Sequence, residues 1–135
     1  DMGRLIRTGQ VACYKKDAND NCLAAMTKEE FRNELCKRAS ALIDCTQLVV
    51  GVEAFPDYGG LTRSDPLENG KLKSGLDKYE IGAACQVVLA RAFYTWKVSA
   101  PVLSWFLVNM ADGNRLVTAA TAFRNEPYTT STGGC

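Results

Sequence analysis

Six cysteines, at positions 13, 22, 36, 45, 85 and 135, and no histidine in 135 residues constrain this chain more than any other feature. Thiols at that density persist in reducing compartments only for metal binding, catalysis or redox sensing. Metal binding accounts for them poorly, because there is no CxxC, no imidazole, and no gap pattern among Cys13, Cys22, Cys36, Cys45, Cys85 and Cys135 that fits a zinc site. Disulfides remain, and with them an exported protein. The missing imidazole also removes His-based triads, dyads and acid–base pairs, and deprives a cysteine nucleophile of its usual partner.

Charge narrows the partners. Sixteen Lys and Arg nearly cancel fifteen Asp and Glu, for a net charge of +1, so no long-range field gathers nucleic acid or an anionic membrane. With 47% apolar residues the chain can bury the core of one domain, and one domain over 1–135 without a linker is expected. The longest apolar stretch, 98–110, contains Ser99, Pro101, Ser104 and Asn109. It falls short of a membrane span, which needs about 20 apolar residues. Export requires a targeting segment, so the expected precursor carries something hydrophobic ahead of Asp1.

Local signals outline the elements. Residues 1–10 have the marks of a helix's last turns, with Arg4 and Arg7 placed to complement the dipole and Gly9 as a left-handed stop. The polar stretch 14–22 suits a surface loop closed by Cys13 and Cys22. Thr27-Lys28-Glu29-Glu30 is a capping box, and behind it Phe31, Leu35, Ala39, Leu42 and Ile43 form one apolar helical stripe. Segments 48–55, 85–96 and 116–123 have strand composition. Between the first two, Gly59-Gly60, Pro66 and Asn69-Gly70 predict an irregular loop over 56–80. Residues 102–110 fit a short helix or an apolar excursion, and Asp112-Gly113-Asn114 fits a turn. The sum is an α+β fold: a small antiparallel sheet of three to four strands against one or two helices, stapled by disulfides.

Candidate chemistry is sparse. Glu29 and Glu30 are neighbours and diverge by about 100° on a helix, which is no acid–base pair. Gly59-Gly60 and Gly133-Gly134 lack the lysine and strand-to-helix setting of a phosphate loop. Oxygens alternate along Asp17-Ala18-Asn19-Asp20-Asn21, yet Cys22 stands where a calcium loop needs Gly and Lys28 where it needs Glu, so a solvated turn is the better account. No metal site and no cofactor are expected. Arg124-Asn125-Glu126-Pro127-Tyr128 is dense in polar groups after an apolar strand. Either Pro127 ends the strand while Arg124 and Glu126 pair on one face, or the motif docks a partner.

Taken in order, these motifs resemble the TadE-like family. Arg4-Leu5-Ile6-Arg7-Thr8-Gly9-Gln10 and Met26-Thr27-Lys28-Glu29-Glu30-Phe31 resemble the segment that follows the family's membrane helix. Arg91-Ala92-Phe93-Tyr94-Thr95-Trp96, Ala111-Asp112-Gly113-Asn114-Arg115-Leu116 and Ala122-Phe123-Arg124-Asn125-Glu126-Pro127-Tyr128 follow in the family's order. The resemblance implies a pilin-like fold and a non-enzymatic minor pilin, or pseudopilin, of tight-adherence (Flp-type) pili. It implies an upstream hydrophobic helix in the inner membrane, a periplasmic domain and other pilin subunits as partners. Contact residues would be Leu5, Ile6, Arg124, Asn125, Glu126, Pro127 and Tyr128. Two alternatives stay open: a secreted disulfide-rich binder or inhibitor, and a hydrolase with an unrecognised carboxylate site.

The resemblance also implies a Cys36–Cys45 pair, with Cys13, Cys22, Cys85 and Cys135 as additions. Nine residues of unbroken helix separate Cys36 and Cys45 by about 13.5 Å, beyond the roughly 7 Å Cα limit of a disulfide. That pair therefore requires the α-helix to end before Cys45, and the expected stop lies between Ala39 and Ile43. Antiparallel strands bring the start of the second strand level with the end of the third. The expected pattern is then Cys13–Cys22, Cys36–Cys45 and Cys85–Cys135.

Overall fold

Backbone amides at the start of a helix need acceptors, and the capping box supplies them. In the computed structural model, which describes residues 2–39, 41, 43–99, 102, 104–127 and 135, the Thr27 N–H donates to Glu30 Oε2 at 2.9 Å. The Glu30 N–H donates to Thr27 Oγ1 at 3.2 Å. Helix α2 (Lys28–Ala39) begins there and ends before Cys45, at the near limit of the expected stop. Helix α1 (Met2–Arg7) precedes it and ends at Gly9, whose φ of 73° is the left-handed stop. The polar loop between them is a short hairpin, β1 (Lys15–Lys16) with β2 (Cys22–Ala24).

Three long strands make the sheet. They are β3 (Leu48–Phe55), β6 (Val87–Lys97) and β7 (Asn114–Arg124), antiparallel in the order β3-β6-β7. The first runs as its valine-rich composition predicts. The second starts two residues later than expected, because Cys85 has a φ of 68° and leaves the extended region. Between β6 and β7 lies the short helix α3 (Ser104–Leu107).

Core residues lie on both faces. On one, Val50, Val52 and Val88 meet Met2 and Ile6 of α1 and Phe31 and Cys36 of α2, with Leu35 and Ile43 packed against them. Leu42, expected in the same stripe, lies outside the described residues. Each fully buried side chain of this size contributes about 1.5–3 kcal/mol. The second face carries Phe93 and Leu116 against Leu76 and Met110. The expected irregular loop supplies part of that cover: β4 (Leu67–Glu68) and β5 (Lys71–Leu72) pair across Asn69-Gly70, with φ of 52° and 73°, as a two-residue hairpin turn requires. The loop lies so close that a Cβ on Gly51 would collide with the Leu76 carbonyl.

All six cysteines pair as expected. Cys13–Cys22, Cys36–Cys45 and Cys85–Cys135 have Cα separations of 5.3, 5.8 and 5.3 Å, within ordinary disulfide geometry.

Candidate functional site

Antiparallel pairing makes the main chain of alternate residues point to opposite sides of a strand. The Asn125 N–H donates to Gln86 O at 2.8 Å, which sets the parity: odd-numbered residues of β7 bond β6 and even-numbered ones face outward. The ends of the strand agree. Asn114 O accepts from Asn109 N and Met110 N, both at 3.2 Å. The side chain of Asn109 caps Leu116, accepting from its N–H at 2.7 Å and donating to its carbonyl at 3.2 Å. At the far end the Glu126 N–H donates to Arg7 O of α1 at 2.8 Å.

Between these caps the edge is open. Among the described residues, the outward N–H and C=O of Thr118, Ala120, Ala122 and Arg124 have no hydrogen-bond partner. Residues 119–122 are exposed, and Leu116 to Phe123 contains neither charge nor proline. Edge strands ordinarily carry such blockers, so a bare run of donors and acceptors is a template for another strand. Main-chain pairing is the chemistry this surface can perform.

The polar motif after β7 divides. Asn125 is 1% exposed; its Nδ2 donates to Ile81 O and Ala83 O, each at 3.0 Å, which makes it a structural tie. Arg124 and Glu126 do not pair as a strand-end account expects. The chain leaves the strand at Asn125, so Glu126 turns to Arg7, with Oε1 3.2 Å from Arg7 Nε, while the Arg124 guanidinium sits 6.0 Å above the Tyr58 ring. Arg124, Glu126 and Pro127 are exposed, and Tyr128 lies outside the described residues. Ile6 is 2% exposed and holds α1 to the core, whereas Leu5 is only partly buried against the same cluster.

The Asp17–Asn21 turn is held by its own groups. The Asp17 carboxylate accepts from Asn19 N, Asn21 N and Asn21 Nδ2, and the Asn21 side-chain bond, with the main-chain bonds behind it, holds its pKa below the usual carboxylate value. Among the described residues, no group of three or more His, Cys, Asp or Glu is arranged to hold a metal.

Two features stand outside the sequence expectations. Arg91 is 3% exposed and pairs with Glu53 Oε1 at 3.0 Å; a lone cation inside the apolar run Val87 to Phe93 was the signal for it. At the β6–β7 connection Val102, Trp105 and Phe106 are exposed, an apolar tip on the surface. No protein family, curated protein or solved structure matches this chain.

Proposed function

We propose that this chain works by protein–protein contact, as a minor pilin or pseudopilin subunit of tight-adherence pili. The observation that carries the reading is the edge of β7 from Thr118 to Arg124, uninterrupted and open among the described residues. A subunit that must join others needs such a surface, and a small domain that stays alone ordinarily blocks it. The ordered motifs of the TadE-like resemblance support the same reading, and three disulfides suit the periplasmic face of the inner membrane or an extracellular pilus. In this reading α1 is the end of the anchoring helix, locked to the domain through Ile6 and through the Arg7–Glu126 contacts.

The native product should fractionate with membranes, and replacing both Arg124 and Glu126 with Ala should reduce piliation more than it lowers the melting temperature. Recovery of the native product free in culture fluid, from cells lacking pili, refutes the assignment. A secreted binding protein is the second reading, favoured by the exposed tip of Val102, Trp105 and Phe106. A cleaved signal peptide with a small-residue site distinguishes it.

A further inference from the structure

We propose that the open window of β7 pairs with the same window of a second copy of this chain, antiparallel and centred on Thr121, joining two three-stranded sheets into one of six strands. The proposal deepens the reading above by naming an occupant for the open edge, and it fails or holds on its own measurement.

The window's geometry selects its occupant. Asn109 bounds it at Leu116 and Arg7 bounds it at Glu126, leaving four outward residues, each with one donor and one acceptor. A matching strand must offer the same count at the same spacing, and β7 itself does. With Thr121 on the two-fold axis, Thr118 faces Arg124 of the second copy and Ala120 faces its Ala122. Every open N–H and C=O on both strands is then used. Moving one strand by two residues sets Arg124 against the capped Leu116, or Thr118 against Glu126, whose N–H Arg7 already holds. The centred register alone therefore satisfies all the open groups.

Side chains agree with that register. Ala120 meets Ala122 on one face, and Thr121 meets Thr121 and Ala119 meets Phe123 on the other. Arg124 faces Thr118, so no like charges oppose each other. The chain's net charge of +1 sets no appreciable repulsion between copies. Small side chains bury little apolar area, which places the pairing among transient interfaces.

Cross-linking tests the register. Across the two-fold, Thr121 would form a non-hydrogen-bonded pair with Cα atoms about 4.5 Å apart, inside the disulfide range. Under mild oxidation Thr121→Cys should dimerise at least about tenfold faster than Ala119→Cys, whose thiol would face Phe123, because only the former gains effective concentration from pairing. Peptide mapping confirms that the three native disulfides persist. Sedimentation velocity supplies a second measurement: wild type should self-associate with concentration, A120K/A122K should stay monomeric, and A120K/A122E should associate again, because each introduced ammonium then faces the introduced carboxylate of the other copy. Equal cross-linking at 119 and 121, identical sedimentation of the two double variants, or a wild type monomeric at its highest soluble concentration overturns the pairing. None of these results touches the pilin assignment. That assignment fails by itself if the pairing is intact and deletion of the protein leaves piliation unchanged.

Discussion

The two outer strands of the sheet are both edges, but they end in opposite conditions. On β3 the outward residues are interrupted. The Leu48 carbonyl accepts from Arg32 Nε at 3.1 Å, and the Val52 N–H donates to Lys78 O while its carbonyl accepts from Glu80 N, both at 2.8 Å. Val52 and Tyr79 form a parallel bridge there, so no run of free groups survives. Helix α2 braces this margin, since Arg32 Nη2 also donates to Cys45 O at 2.6 Å. On β7 four consecutive outward residues have no partner among the described residues, between two caps. One margin is closed by its own chain; the other keeps its hydrogen-bonding capacity. Stability should therefore concentrate on the β3 side and association on the β7 side.

That contrast can be broken experimentally. The largest effect should come from Glu53→Ala, which leaves Arg91 without its carboxylate, beside the Ser64 carbonyl at 3.3 Å, the Ser64 hydroxyl at 3.4 Å and the Phe93 ring at 5.5 Å. Removing one partner of a buried pair costs about 3–5 kcal/mol, readable as a shift in urea midpoint; a loss under about 1 kcal/mol would show that the covered side is not where stability resides. Replacing Cys36 and Cys45 together should cost about 2–3 kcal/mol on the chain-entropy model, because their loop is short.

Acid should open the closed edge first. The Lys28 ammonium, hydrogen-bonded to Asp77, holds that carboxyl below its ordinary pKa, and Lys15 together with the Thr27 amide does the same for Glu30. Groups with depressed folded pKa values stabilise fully above the unfolded value, about 4, and lose that contribution as pH falls through the lower folded value. Hydrogen exchange at the Val52 and Glu80 amides should therefore accelerate below about pH 4 before exchange in the β6–β7 ladder does. Exchange that rises together in both places would erase the distinction. The smallest effect belongs to the open strand: Ala122→Lys should change unfolding free energy by no more than about 0.5 kcal/mol, as exposed substitutions do, while weakening association.

What was legible in the sequence was local. The capping box at Thr27, the valine run from Leu48 and the stop at Gly9 act through near neighbours, and each sits where its chemistry requires. The disulfides were legible because helix length and strand direction limit which sulfurs meet. Strand order was not, and it decides which edge is open. Nothing near Val52 announces that residues 78–80 return to cover it from 26 residues away. Asn69-Gly70 did announce a turn, but its flanking strands are two residues each, too short for alternation to register. Glu126 reaches Arg7 across nearly the whole chain, so a reading of the polar motif alone paired it with Arg124.

The bond between Cys85 and Cys135 has a mechanical consequence. Both β6 and β7, with α3 between them, lie inside the covalent ring it closes. Tension that enters along the backbone upstream of Cys85 and leaves at Cys135 passes through sulfur and does not load the β6–β7 hydrogen bonds. The 50-residue separation keeps roughly 170 Å of contour from paying out. Pulled between these two points, an oxidised molecule keeps β7 zipped to the sheet; once that bond is reduced, the same pull peels the strand away.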